Sequence, residues 1–328
     1  MTAGRIVGLA IAAILLIAVP WIIGNEFYIN MASQVLIYAL FALSINMMLG
    51  YGGMVSLGHA AYLGIAGYTC ILLTIAGYNQ LLAAILAVLL STAAAAFFGV
   101  LSLRAPGLGF IIITLALGQI VWGVAYRAND LTGGDNGIRH PARPMPFGIE
   151  IRDAPSFYYF TLAVFLVALF FIWRFSRSPF GASLMGTRDQ PRRMRMLGHD
   201  PWLIQLVTFV MAGFWGSVAS ILYVYYNLFL SPHAISLQQS AEILLMAILG
   251  GASTLTGPIV GAAIITLVKN VVSTYVERWN MLLGLIFVVV IVFMPYGLVP
   301  GCRQLWQRLQ GRIRRRKTAG IAAPERAQ

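Results

Sequence analysis

Few residues in this chain are of types that do chemistry, and they are scattered. Histidines stand at positions 59, 140, 199 and 233 and cysteines at 70 and 302. A membrane-embedded enzyme would need a nucleophile and a base gathered at one depth. His59 with Ser56 is the nearest approach to such a pair, and its plainer reading is a polar contact at a helix end. No His-Glu-x-x-His motif or cysteine pair offers a metal site. No Gly-x-x-x-x-Gly-Lys-Ser/Thr loop is present to cradle nucleotide phosphates. The expectation is a chain without cofactor or metal that does not itself hydrolyse nucleotide. Glu242 and Lys269 are the ionisable residues set within apolar runs. Such groups often mark ion pathways, but these two can pair across neighbouring helices or snorkel to an interface. A proton-driven pump would need a longer buried acidic relay, so the energy source is expected in a partner.

One compact polar segment stands out, Arg174 to Trp202. Within it, Asp189 is positioned as an N-cap and Pro191 falls in the first turn, where a missing N–H costs nothing. Gly198 can close the helix in the left-handed conformation, and Asp200-Pro201 forbids its continuation. These signals predict a helix of about two turns, Gln190 to Leu197, too short to be stable alone in water. Met194 and Leu197, three apart, would give it one apolar face, while Arg192, Arg193 and Arg195 suit an acidic receiving surface. A helix of this kind lying along the membrane and docked on another subunit transmits motion from a cytosolic motor. The plainer alternative is an ordinary basic loop.

The elements that hold this segment are built for lipid. The chain has 328 residues, 59% hydrophobic and 10% charged, with a mean hydropathy of +0.82. A soluble domain carries about a quarter charged residues. Apolar runs near 6–23, 29–49, 57–76, 81–101, 107–127, 157–175, 203–223, 238–252, 256–276 and 281–299 predict about ten spans at about 20 residues each. The first could pass for a signal peptide but lacks a clear cleavage site, and is read as a span. The run near 238–252 is short and ends at Gly250-Gly251. The predicted fold is therefore an all-α integral membrane protein, with a transmembrane domain over 1–300 and a basic tail over 301–328.

Charge sets the orientation. The net charge is +12, which in a soluble protein would suggest nucleic acid. Here the arginines lie between apolar spans and give a topology signal instead, so no nucleic-acid partner is expected. With the N-terminus cytoplasmic, sixteen of the twenty-two Lys and Arg fall on the inner side. These are Arg5, Arg104, the cluster from Arg174 to Arg195, and the tail from Arg303 to Arg326. Glu26, Asp130, Asp135, Glu150, Asp153 and Glu277 fall outside. Both termini and the 174–202 segment are expected in the cytoplasm, with the tail against anionic headgroups. Two similar glycine-rich stretches, Gly52 to Gly58 and Gly250 to Gly257, both fall on the inner side, as a repeat or by chance.

Four stretches together resemble the permease subunits of bacterial branched-chain amino acid ABC importers, of the LivM type. They are Asn46-Met-Met-Leu-Gly-Tyr-Gly-Gly-Met-Val-Ser-Leu-Gly-His-Ala-Ala61; Gly107-Leu-Gly-Phe-Ile-Ile-Ile-Thr-Leu-Ala-Leu-Gly-Gln119 with Leu131-Thr-Gly-Gly-Asp-Asn-Gly-Ile138; Ser178-Pro-Phe-Gly181 through Arg188-Asp189 to Leu197-Gly198; and Glu242-Ile-Leu-Leu-Met-Ala-Ile-Leu-Gly-Gly251 with Gly257-Pro-Ile-Val-Gly-Ala262 and Met294-Pro-Tyr-Gly-Leu298. The resemblance implies one half of a membrane pore in the bacterial inner membrane. A LivH-type second permease, two cytosolic ATPase subunits and a periplasmic binding protein would complete it. It also implies ATPase coupling through Arg188, Asp189, Arg192, Arg193, Arg195, Leu197 and Gly198. Arg193-Met-Arg-Met196 departs from the family's small or acidic run, which leaves the ATPase partner open.

By the same resemblance, Thr132, Gly133, Gly134, Asp135 and Asn136 lie near the face that receives the binding protein. Gly52, Gly53, Ser56, Gly58 and His59 are candidates for a translocation path or hinge, with close backbone approach as their physical role. The function expected is inward transport of a branched-chain amino acid. The alternatives are the same architecture importing urea, amides or aromatic acids, or a secondary transporter.

Overall fold

The structure is a computed structural model that describes residues 24–141 and 153–275, with further positions at 20–21, 151 and between 281 and 301. Asn25 caps the first helix, α1 (Glu26–Asn46), by accepting from the Phe27 N–H at 3.0 Å. A π-helical turn, Met47–Tyr51, extends α1. From Leu36 to Met48 every residue is buried, as expected of a helix that is apolar on all sides. An irregular stretch, 52–59, leads to α2 (Ala60–Ile75), followed by α3 (Gln80–Ser102) and α4 (Leu108–Arg127). After a loop come α5 (Ala154–Ser176), α6 (Pro179–Asp189), α7 (Pro191–Met196) and α8 (Pro201–Asn227). The described helices end with α9 (Leu237–Gly250) and α10 (Gly257–Tyr275).

α1 forms the axis. It packs against α5, α8, α9 and α10, while α2 and α3 pack on α8 from the other side and α4 lies against α2 and α3. The α3 contact is made by small residues four apart: Ala83, Ala87, Ser91, Ala95 and Gly99 are all buried. Small side chains let helix backbones approach closely, the usual means of packing where lipid removes the hydrophobic drive. Ser217 of α8 donates to Ser91 at 2.7 Å, and Ser91 donates to the Tyr62 carbonyl of α2 at 3.3 Å.

Five described helices are long and apolar enough to cross a membrane: α1 with its extension, α3, α4, α5 and α8. The runs expected to span at 57–76, 238–252 and 256–276 are also helical, as α2, α9 and α10. α9, at 14 residues, reaches only about 21 Å, short of a hydrocarbon core of about 30 Å. The expected spans at 6–23 and 281–299 and the basic tail lie largely outside the described residues. The expectation of an all-α chain needs one correction. Ile138–Arg139 and Phe229–Leu230 form a two-stranded antiparallel ribbon, pairing Ile138 with Leu230. It lies at the end of the bundle opposite α6 and α7.

Candidate coupling site

The basic segment forms two helices where one was predicted. Ser178 caps α6, its Oγ accepting from the Gly181 N–H at 3.2 Å, and Pro179 sits in the first turn. The Ser-Pro dipeptide carried this N-terminal signal. Gln190 then breaks the chain with φ −148° and ψ 81°, because the residue before a proline is pushed out of the helical region. α7 therefore starts at Pro191, and Gln190, not Asp189, occupies the N-cap position; Asp189 ends α6. Gly198 closes the segment with φ +83°, as its type predicted. The Asp200 carboxylate accepts from the Trp202 N–H at 2.9 Å and opens α8.

The expected apolar face of Met194 and Leu197 does not exist. Met194 is buried, its sulfur pressed against Gly186 of α6 where a Cβ would approach it to 2.7 Å. Leu197 points outward at 67% exposure and Met196 at 88%. The reason is the α6–α7 hairpin: the unpredicted α6 takes up Met194 and leaves the following turn to present the apolar tip. Arg192, Arg193 and Arg195 surround that tip, all exposed.

Arg188 faces the other way. Its Nη1 donates to the Gly50 carbonyl at 2.7 Å and to Ser253 Oγ at 3.3 Å, and its Nε pairs with Asp189 at 2.9 Å. Ser253 Oγ also donates to the Gly50 carbonyl, at 2.6 Å. Beneath them, Asn46 accepts from the Ser253 N–H at 3.2 Å and donates to the Thr254 carbonyl at 2.9 Å. The end of α1 thus meets the second glycine-rich stretch noted in the sequence, between α9 and α10, just before the first such stretch begins at Gly52. Gly50 has to be glycine, since a Cβ would strike the Ser253 backbone and Asn46 Oδ1.

From there, residues 52–59 run into the bundle. Gly53 (φ +69°) lies under the Arg188 stem, where a Cβ would come within 2.6 Å of Cγ. Gly58 packs on the Thr114 carbonyl and beside Gly118 of α4. Thr114 is six residues into α4, about 9 Å along it. α2 therefore begins well inside the bundle, and its first N–H, at Ala60, donates to Ser240 of α9 at 3.1 Å. His59 is fully buried between the rings of Phe41 and Tyr62, at 5.3 and 5.2 Å. Its Nε2 lies 2.8 Å from Ser44 Oγ. The expected His59–Ser56 contact is replaced by this one, because the extended chain turns Ser56 toward its own Gly58 N–H, 3.4 Å away. A cleft of about 480 Å³ opens beside the stretch, lined by Gly52, Gly53, Pro106, Thr187, Arg188 and Gln205.

At the opposite end of α4, about 30 Å away for a 20-residue helix, Thr132 donates to the Ala125 and Ala128 carbonyls at 2.6 and 2.8 Å. Gly133, Gly134 and Gly137 hold φ of +72°, +57° and +68°, backbone that favours glycine. These residues build the turn, while Asp135 and Asn136 are its exposed members. Asp135 lies 3.6 Å from His233, and the ribbon fixes the turn to the α8–α9 connection. Of the two arrangements open to Glu242 and Lys269, the structure has the pair, Nζ lying 3.0 Å from both carboxylate oxygens across α9 and α10.

A family model described as "Branched-chain amino acid transport system / permease component" matches residues 27–293. The high-affinity branched-chain amino acid transport system permease protein LivM of Salmonella typhimurium is 28% identical over 320 residues, covering 90% of this chain and 75% of that protein. LivM of Escherichia coli K12 is 27% identical with the same coverage. The autoinducer 2 import system permease protein LsrC of Salmonella typhimurium is 25% identical over 259 residues, covering 76% of this chain and 70% of LsrC.

Proposed function

The chain belongs to the branched-chain amino acid transport permease family, and from that premise we propose that it is one membrane half of an ATP-driven importer of branched-chain amino acids. It is a multi-pass membrane protein. In this reading it crosses the inner membrane about ten times with both termini cytoplasmic. It pairs with a LivH-type permease, two ATPase subunits and a periplasmic binding protein.

The observation that carries the reading is the α6–α7 spur. Its apolar tip, Met196 and Leu197, is exposed amid three arginines, while its root is bonded into the bundle through Arg188. An exposed apolar tip ringed by cations suits a groove with an acidic rim on a cytosolic partner: apolar burial holds it, and charge steers it. ATP-driven movement of that partner is transmitted through the spur. At the far end, Asp135 and Asn136 offer hydrogen-bonding groups to a solute-delivering protein. Solute passes by alternating access between the paired permeases, with selectivity residing mainly in the binding protein.

The test is uptake by vesicles reconstituted with the whole complex, with ATP supplied on the ATPase side. Labelled leucine, urea and an aromatic acid are compared. Leucine accumulation that needs ATP is expected. Accumulation driven by a proton gradient without ATP would overturn the reading. The LsrC relatives show that a related permease serves an unrelated solute, so accumulation of urea or the aromatic acid in place of leucine would reassign the substrate.

A further inference from the structure

We propose that Arg188 is a positioning residue for transport rather than a docking residue: it carries displacement of the α6–α7 spur to two helical hairpins at once. The inference rests on the importer reading above. One guanidinium joins three pieces of chain. It stands on α6, it bonds the Gly50 carbonyl in the π-helical end of α1, and it bonds Ser253 in the turn between α9 and α10. Carbonyls at a helix C-terminus have no partner within the helix, and a cation there is favoured by the helix dipole as well as by the hydrogen bond. The contact is therefore strong and directional.

The layer beneath it has a different character. Asn46 is 1% exposed and holds Ser253 and Thr254 through both ends of its amide. Those bonds keep α1 and the α9–α10 turn together whatever the spur does. Ser253 adopts φ +69°, a strained conformation for a non-glycine residue that persists only where neighbours enforce it. Arg188, about one-third exposed, is the outer layer, and water can replace its bonds. Gly50 O keeps its bond from Ser253 when the guanidinium leaves, so release exposes no unpaired carbonyl. The knot thus has an engaged and a released state that differ chiefly in one side chain. The same Arg188 stem presses on Gly53, at the start of the irregular stretch that enters the bundle, so movement of α6 also bears on the entry to α2. A π-helical turn at this joint fits a place where the helix changes direction under load.

The experiment uses the reconstituted complex and reads ATP hydrolysed per leucine transported. Arg188→Met keeps an unbranched stem over Gly53 and removes every donor. The expected result is a complex that co-purifies with its ATPase subunits and hydrolyses ATP, yet needs about tenfold or more ATP per solute, the scale of losing a charge-assisted hydrogen bond. Arg188→Lys, able to reach one acceptor with a single ammonium, should fall between. Adding Ser253→Ala to Arg188→Met should worsen the ratio little, because both act through one knot. Arg188→Met with an unchanged ratio would overturn the inference, as would loss of the ATPase subunits from that variant, which would make Arg188 a docking residue. If Arg188→Met does not fold, a wild-type ratio in well-folded Arg188→Lys and Ser253→Ala together would overturn it. Absence of ATP-driven uptake by the wild-type complex would count against the importer reading instead, so the two failures are distinguishable.

Discussion

Glu242 shows what a charge in an apolar bundle requires. Its carboxylate is 6% exposed and meets Lys269 at 3.0 Å through both oxygens, with the Tyr38 ring 5.9 Å from the ammonium. Removing one partner of such a pair leaves the other charge buried and costs about 3–5 kcal/mol, whereas replacing both with apolar groups is often neutral. Lys269→Met, which strands the buried carboxylate, should therefore lower the melting temperature of the detergent-solubilised complex sharply, and more than Glu242→Leu, which leaves a partly exposed ammonium. Glu242→Leu combined with Lys269→Met should recover most of the loss. Equal destabilisation by the single and double variants would show that the pair is not what these side chains contribute. At the spur, Met196 and Leu197 to Ala should weaken ATPase association without changing thermal stability, and Met194→Ala should do the reverse. Co-purification and melting measurements on the same preparations separate the two.

Helices in this bundle are held by what their crossing points lack. Gly58 meets the Thr114 carbonyl, and a Cβ on Gly118 would lie 2.9 Å from Gly58 Cα. Both obstacles are backbone and cannot rotate away. Gly123, five residues further along α4, has nothing within 4 Å of its Cβ position. Alanine favours a helix over glycine by about 1 kcal/mol, so Gly123→Ala should be neutral or slightly stabilising. Gly118→Ala and Gly58→Ala should lower the melting temperature despite the same chemical change. Equal melting temperatures for all three would remove the close crossing as the reason for these glycines. The α3 stripe from Ala83 to Gly99 obeys the same rule, and its four-residue spacing was present in the sequence. What faced it was not, since Gly213 and Ser217 of α8 lie more than a hundred residues away.

For the molecule as a whole, the two ends of the bundle differ in character. One carries the arginine-rich spur, and the other carries the short ribbon with Asp135 and Asn136. Charge reversal of Arg192, Arg193 and Arg195 together should weaken ATPase association and abolish uptake while leaving membrane insertion intact. Normal uptake in that variant would sink the docking role of the spur. In a chain with Cys70 and Cys302 replaced by serine, cysteines introduced at Leu197 and Leu131 should react with an impermeant maleimide from opposite sides of the membrane. Labelling of both from one side would refute the orientation read from charge.

The sequence by itself determined what depends on neighbours along the chain. Apolar runs of about 20 residues dictated helices, because the bilayer leaves backbone groups no other partner. Gly198, Pro191 and Asp200-Pro201 marked their stops and starts through local backbone sterics, and the excess of arginine on alternate connections set the orientation to be expected of them. The tertiary structure decided every question of facing. Which of Met194, Met196 and Leu197 turns outward depends on α6 folding back beneath α7. That His59 finds Ser44 rather than Ser56 depends on the path of residues 52–59 into the bundle. Arg188 reads in sequence as one more basic residue of a docking loop. Its turn inward depends on two acceptors, the Gly50 carbonyl at the end of α1 and the Ser253 hydroxyl between α9 and α10, arriving at one point from positions about two hundred residues apart, and no local spacing encodes that meeting.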